Sequence, residues 1–148
     1  MAVSIRTATP EDIEAMIALD AVSGTDEQRR SEIHSWVSAG SAAIADDGSF
    51  VAGYAVLEYS FFRQGFVAML QVAPSHRRQG VATSLLLHLE RTCRTHKLFA
   101  STNESNTPMQ ALLSSLGYEP SGVVYNLDEG DPELFYFKPA KSDTTTKQ

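Results

Sequence analysis

The chain has 148 residues, 43% hydrophobic and 20% charged, a composition typical of one soluble globular domain. Its formal net charge of −6 argues against nonspecific nucleic-acid binding, because that affinity depends on neutralising phosphates. Cys93 is the single cysteine, so a disulfide framework is excluded, and no apolar run reaches the roughly 18 residues of a membrane span. The first residues lack a signal-peptide pattern. We therefore expect a cytoplasmic protein that binds neither membranes nor nucleic acid.

The first half of the chain is predicted to form a strand, two helices and a hairpin. The first helix should follow the strand "AVSIRTAT", with Thr9 as N-cap and Pro10 at its first position. The second should begin at a capping box of Thr25 and Gln28. Its buried stripe is expected to comprise Ile33, Trp36 and Val37. Two apolar runs separated by "DDGS" then indicate a β-hairpin.

The second half begins with a strand, "GFVAMLQVAP", that is apolar on both faces and therefore central. A leucine-rich helix from about Gly80 to His96 connects it to the strand "KLFASTN", and such a crossover predicts that these two strands run parallel. The inner side of that helix should hold Val81, Leu85, Leu86, Leu89 and Cys93.

The last elements are a helix and two strands. "TPMQALLSSLGY" predicts a helix with Thr107 and Gln110 as capping box, Pro108 at its first position and Gly117 as C-cap. Strands are expected around residues 118–127 and 133–138, on either side of the acidic loop "DEGDP". Residues 140–148 have nothing to bury and are predicted to be a disordered polar tail.

This order, β-α-α-β-β-β-α-β-α-β-β, predicts an α/β (α+β) fold. We expect a mixed central sheet of six to seven strands with about four helices on its two faces. Residues 1–139 should form a single domain. The aromatic last strand, "LFYFK", could pair or pack across a homodimer.

A cluster of positive charge precedes the leucine-rich helix. Arg77, Arg78 and Gln79 are followed by Gly80, which lets a backbone approach a bulky ligand, at a helix start whose N–H groups are unpaired donors. Such a site suits a phosphate or pyrophosphate. A solvated loop is the alternative, because the pattern is neither a Walker loop nor GxGxxG. His76, in the same loop, is expected to be exposed rather than catalytic.

The sequence around this loop resembles the GCN5-related N-acetyltransferase (GNAT) family. The family's Q/R-x-x-G-x-G/A motif is matched by Arg77-Arg78-Gln79-Gly80-Val81-Ala82, and its second motif by Asn106 and Leu116-Gly117-Tyr118. The resemblance covers nearly the whole chain. It implies the GNAT fold and an N-acetyltransferase that uses acetyl-CoA as acyl donor. The acceptor would be a primary amine, on a small molecule or a protein, attacking directly in a ternary complex.

The resemblance also implies where the cofactor binds. In the family, the strand equivalent to residues 69–72 splays from its neighbour, and its main chain pairs with the pantetheine arm. An amide at or near Leu70 would polarise the thioester carbonyl. The cofactor-binding residues implied in this way are Leu70, Val72, Arg77, Arg78, Gln79, Gly80, Val81, Ala82 and Asn106.

The catalytic residues of the family do not transfer by position. The tyrosine that many relatives carry in the second-motif helix corresponds to Leu113, and a glutamate early in the cofactor strand would lie near Phe66. Glu58, a lone carboxylate in an apolar strand, is a candidate general base, with a solvated edge residue as the alternative. Tyr118 and Tyr125 are candidate acids, with core tyrosines as the alternative.

Two further readings stay open. The acidic loop could attract a cationic amine, or could be a solubilising turn shaped by Gly130 and Pro132. Because the catalytic positions differ, the chain could also be an acyl-CoA-binding module without chemistry. The histidines stand at unrelated spacings and indicate no metal site.

Overall fold

The computed structural model describes residues 2–20 and 26–140. These residues form two compact units. The first comprises Met1–Leu57 with Ala68–Leu89, and the second comprises Glu58–Val67 with Glu90–Gln148, each within the described ranges. The predicted order of strands and helices is confirmed along the whole described chain.

The strands are β1 (Ser4–Thr7), β2 (Ala42–Asp46), β3 (Val51–Phe61), β4 (Gln64–Val72), β5 (Lys97–Asn103), β6 (Glu119–Val124) and β7 (Glu133–Pro139). The helices are α1 (Ile13–Leu19), α2 (Glu27–Ala39), α3 (Val81–Thr92) and α4 (Thr107–Ser115). The hydrogen-bonded strand order is β1-β2-β3-β4-β5-β7-β6. β4 and β5 run parallel, as the crossover through α3 predicts.

Helices cover both faces of the sheet in the first unit. Ile44 and Tyr54 are paired across β2 and β3 and belong to a core that also contains α1 and α2 side chains. Gly53, the residue next to Tyr54 in β3, faces the opposite side of the sheet. A Cβ added there would lie 3.3 Å from the Cγ1 atom of Val81 in α3. The alternation of β3 therefore gives one face to α1 and α2 and the other to α3.

A buried ion pair lies at the end of α1. The Asp20 side chain is 0% exposed, and Arg29 of α2 donates to it over 2.6 Å. Burial alone would lower the pKa of the Arg29 guanidinium, but the hydrogen bond and charge of Asp20 outweigh it and raise that pKa. The pair therefore fixes the end of α1 to α2.

The second unit buries one face of β5 and β7. Residues along β5 alternate between buried and half-buried, with Leu98, Ala100 and Thr102 on the buried side. β7 hydrogen-bonds to β5 on one side and to β6 on the other. It has no free edge, so the expectation that "LFYFK" could pair with a second strand across a dimer is wrong, whereas packing of this strand across a dimer stays a prediction. β6 is the edge strand, and all its residues are exposed.

The helix ends differ from their predictions. Asp26, not Thr25, caps α2, because its carboxylate accepts the N–H groups of Gln28 and Arg29. Thr25 lies outside the described residues. Asn106, not Thr107, caps α4 by accepting from the Met109 N–H.

Three other predicted boundaries also change. α3 ends at Thr92, four residues before the predicted end, and the Arg94 N–H donates to the Tyr59 hydroxyl instead of continuing the helix. β6 is shorter than the predicted strand at 118–127. Ala140, assigned to the tail, is buried, and its N–H donates to the His96 carbonyl oxygen. Residues 141–148 lie outside the described residues.

Candidate active site

The loop between β4 and α3 is open to solvent. Residues 77–80 are exposed, and both Arg78 (φ +65°) and Gly80 (φ +80°) have left-handed backbone conformations. A Cβ added to Gly80 would meet no atom within 4 Å, so the space above this residue is empty of protein. The loop is therefore shaped to admit a ligand close to its main chain.

The start of α3 provides hydrogen-bond donors at this opening. The first intrahelical bond observed runs from the Ser84 N–H to the Gly80 carbonyl oxygen, 3.0 Å. The N–H groups before Ser84 have no acceptor within the helix and form its partially positive end. Val81, Leu85, Leu86 and Leu89 are buried and anchor the helix. The site can bind an anion without moving the helix.

The β2–β3 turn holds the loop in place. Asp47 accepts hydrogen bonds from the backbone of Ser49 and Phe50, and its Oδ2 atom lies 2.9 Å from His76 Nε2. These backbone bonds, followed by the bond to His76, lower the pKa of Asp47 to about 2. His76 also contacts Ser75 Oγ and the Phe50 ring, so the expectation that it is exposed is wrong. His76 therefore fastens the loop to the β2–β3 turn.

Two side chains of the loop return to its own backbone. Arg77 Nε donates to the Val72 carbonyl oxygen at 3.4 Å, and Gln79 Nε2 donates to the Ser75 carbonyl oxygen at 3.3 Å. Both bonds are long and exposed, and bonds of this kind exchange readily with a charged ligand. The Arg77 and Gln79 side chains therefore stabilise the loop conformation and leave the space above Gly80 open.

β4 lies close to β3 because of a glycine that the sequence did not single out. A Cβ on Gly53 would lie 2.6 Å from the Gln71 carbonyl oxygen and 3.3 Å from the Val72 Cα. Any side chain there would push β4 away, in the segment that contains the half-buried Leu70 and Val72. In the sequence, the only sign of this close approach is that Gly53 stands inside an otherwise apolar strand. At the other end of β4, Gly65 is in register with Leu98 of β5.

An apolar pocket of about 590 Å³ adjoins the loop within the first unit. Its lining has no charged side chain, so it suits an uncharged part of a ligand. The residues that form it are Ala15, Ala18, Leu19, Phe50, Val51, Ala73, Pro74 and Ser75.

The second unit contains the two candidate catalytic residues. Glu58 is half-buried near the end of β3. Tyr118 is only 4% exposed, and its hydroxyl donates to Glu90 over 2.9 Å. Burial, together with the Glu90 charge, raises the pKa of the Tyr118 phenol. Lys138 binds the other Glu90 oxygen and the Leu116 carbonyl oxygen, so Tyr118 is part of a buried polar network. These contacts favour a structural role for Tyr118 over that of an acid.

Tyr118→Phe tests this assignment. Removing the hydroxyl should lower the free energy of unfolding by about 1 kcal/mol, because Glu90 loses a donor. Turnover should stay within about twofold of the parent chain. Thermal unfolding and steady-state rates measure the two effects, and Tyr125→Phe tests the other candidate acid, whose ring is 66% exposed, in the same assays. A tenfold fall in kcat for a folded Tyr118→Phe variant would restore the acid role.

The acidic loop is bound to the end of β5 and the start of α4. Asp128 accepts from Asn103 Nδ2 at 2.9 Å, and Asp131 accepts from both the N–H and the hydroxyl of Ser105. Glu133 accepts from Ser101 Oγ over 2.7 Å. These bonds give Asp128 and Asp131 of the loop, and Glu133 of β7, a structural role, although the three negative charges remain. Asn106, implied as a cofactor ligand, uses its side-chain oxygen as the α4 cap.

The sequence of the chain matches one known protein family. A sequence profile of the acetyltransferase (GNAT) family matches residues 9–118, which is more than half of the chain. The chain belongs to the GNAT acetyltransferase family. No curated protein matches it in sequence.

Solved GNAT structures resemble this acetyltransferase over most of its length. A GNAT-family acetyltransferase from Bacillus cereus is 32% identical and covers 94% of this chain and 98% of its own, with a TM-score of 0.88. The ribosomal-protein-alanine N-acetyltransferase of Brucella melitensis is 26% identical over 92% of this chain and 99% of its own, with a TM-score of 0.74. The yncA protein of Salmonella typhimurium, solved with its cofactor acetyl-CoA, is 21% identical over 95% of each chain, with a TM-score of 0.76.

No helix in residues 2–20 and 26–140 has both the length and the apolar composition to cross a membrane. Within the same residues, no group of three or more His, Cys, Asp or Glu side chains is arranged to hold a metal ion.

Proposed function

We propose that this GNAT protein is an acetyl-CoA-dependent N-acetyltransferase that acts on a primary amine. The observation that carries the proposal is the exposed loop at residues 77–80, with left-handed backbone at Arg78 and Gly80, which leads directly into the amino terminus of α3. Unpaired N–H groups, a partially positive helix end and Arg78 together suit a diphosphate. The Salmonella relative binds acetyl-CoA, and the Brucella relative is an N-acetyltransferase, which supports both halves of the proposal.

Two segments of the chain would bind the two parts of the cofactor. Gln79, Gly80, Val81 and Ala82 would bind the diphosphate through main-chain N–H groups, with Arg77 and Arg78 adding charge. Leu70 and Val72 of β4 would hold the pantetheine arm through their backbone, while their side chains stay packed. The assignment of Asn106 to the cofactor stays a prediction.

Acetyl-CoA supplies an acetyl group activated as a thioester. Overall, a C–N bond forms, the C–S bond breaks, the amine loses a proton and the departing thiolate gains one. Because an alkylamine has a pKa of about 10.4, it arrives protonated and needs a base. Glu58 is our candidate for this base. Glu58→Gln should then lower kcat while the KM for acetyl-CoA stays unchanged.

Release of coenzyme A thiol in the presence of a broad amine panel tests the proposal. We expect turnover with at least one amine, and expect Arg78→Ala to raise the KM for acetyl-CoA about tenfold, as for a lost charge-assisted bond. If the chain binds coenzyme A tightly but acetylates no amine, it is a binding module instead. That outcome is a real alternative because Leu113, at the position of the relatives' tyrosine, is 1% exposed and chemically inert.

A further inference from the structure

The second unit presents five phenylalanine rings on one side of its strands. We call this set, Phe61, Phe66, Phe99, Phe135 and Phe137, the aromatic face. Phe66 is in register with Phe99, and Phe99 is opposite Phe137. The Phe61 ring stacks on Phe66 at 4.9 Å and on Phe135 at 5.5 Å. The rings therefore form one continuous surface across three strands and the end of β3.

This surface is not the core of the unit. The opposite side of β5 and β7 contains Leu98 (0% exposed), Ala100 (4%) and Tyr136 (6%), which are buried. Every ring of the aromatic face is only half-buried. Partly exposed aromatic rings that touch one another form an apolar patch of the kind that marks a binding surface.

A carboxylate continues the same side of the sheet. Register places Ser101 opposite Phe135, and Asn103 opposite Glu133, so these four side chains share the side that holds the aromatic face. Ser101 Oγ donates to Glu133 Oε2 over 2.7 Å, which fixes the carboxylate two residues from Phe135. An oriented negative charge beside electron-rich ring faces is the chemistry that binds an ammonium group.

We propose that this surface binds the acceptor. Glu133 would pair with the ammonium group, and the aromatic face would bind an aromatic or branched apolar group joined to it by a short linker. The acceptor class is therefore an arylalkylamine-like primary amine, either a free amine or the aromatic first residue of a peptide. This inference rests on the proposed acetyltransferase function and adds the chemistry of the acceptor to it.

Acceptor competition tests the inference. We expect kcat/KM for phenethylamine to exceed that for n-propylamine about tenfold, since the two share an ammonium and differ in the ring. The tripeptides Phe-Gly-Gly and Ala-Gly-Gly form a second arm, and a preference in one arm alone identifies the source of the amine.

Substitutions in the aromatic face and at Glu133 test whether the preference for phenethylamine arises there. Phe135→Leu should reduce the phenethylamine preference to about twofold, and Glu133→Gln should raise the KM of both amines about tenfold without changing the KM for acetyl-CoA. Val123→Ala is the control, because it shortens an exposed apolar side chain that pairs with Leu134, outside the aromatic face. Phe99→Leu replaces Phe135→Leu if the latter does not fold.

The outcomes separate the two proposals. Equal kcat/KM values for phenethylamine and n-propylamine would overturn this inference and leave the acetyltransferase function intact. Failure to acetylate any amine would overturn the function instead. In that case saturation-transfer NMR still tests the surface: phenethylammonium should bind the parent chain and lose its signal with Phe135→Leu, and absence of binding refutes the inference.

Discussion

Gly80→Glu is expected to weaken the binding of coenzyme A at least about 100-fold. The new carboxylate would enter the space that is empty of protein above the loop and would lie beside the diphosphate. Two like charges about 4 to 6 Å apart near a protein surface repel by roughly 3 to 4 kcal/mol, and about 2.8 kcal/mol corresponds to 100-fold. Isothermal titration calorimetry with coenzyme A measures the loss directly.

The control for this variant must also place a side chain on a left-handed backbone, so that both variants lose the same stability. Gly40, at the end of α2, also has a left-handed backbone (φ +74°), and a Cβ there also meets no atom within 4 Å. Gly40→Glu should therefore destabilise the chain as much as Gly80→Glu, by about 1 kcal/mol, yet bind coenzyme A normally. Equal affinities for the two variants would show that the diphosphate is not bound at this loop, and the proposed function would lose its main support.

Arg29→Met is expected to lower the free energy of unfolding by about 3 kcal/mol. The Asp20 carboxylate is 0% exposed, and the variant leaves it buried without the guanidinium that lies 2.6 Å away. For a chain of this length, the loss corresponds to a fall in Tm of about 10 °C. Thermal unfolding by circular dichroism or calorimetry measures it.

A second substitution distinguishes charge from packing. Asp20→Asn combined with Arg29→Met removes both charges and should recover most of the lost stability, because the cost arises from the unpaired carboxylate. Arg30→Met, at the exposed neighbouring position of α2, should change stability by less than about 1 kcal/mol. If the double variant were as unstable as Arg29→Met, the loss would come from packing by the Arg29 stem instead.

The element order could be predicted because its signals are local. Alternation in the strands, the apolar stripe of α3 and the Leu116-Gly117 ending of α4 all act through neighbouring residues. Gly117 has φ +93° and the Tyr118 N–H donates to the Leu113 carbonyl oxygen, which is the helix ending that a glycine in this place predicts. The helix ends were less accurate, because Asp26 and Asn106 compete with adjacent threonines for the same cap and the sequence offers both.

The loop that we propose to bind the diphosphate is also marked by a local signal, a glycine and two arginines before a helix. The roles of single side chains are not. Nothing in the sequence indicates that Glu90 and Lys138, distant along the chain, hold the candidate acid Tyr118 in a hydrogen-bonded network. Gly53 was overlooked because only the approach of β4 gives it a function. Localisation in the cytoplasm and assembly as a homodimer stay predictions.

The sequence by itself determined which segments are strands and helices, that the loop before α3 suits an anion, and that its motifs resemble one acetyltransferase family. Only the tertiary structure decided that Asp47 and His76 fasten that loop, that Tyr118 is held in a buried network, and that five phenylalanines from four strands share one surface with Glu133. The physical reason is the separation along the chain of the residues that interact. Helix ends, turns and periodicity depend on residues a few positions apart, whereas burial and side-chain pairing depend on residues that meet only after the sheet has formed.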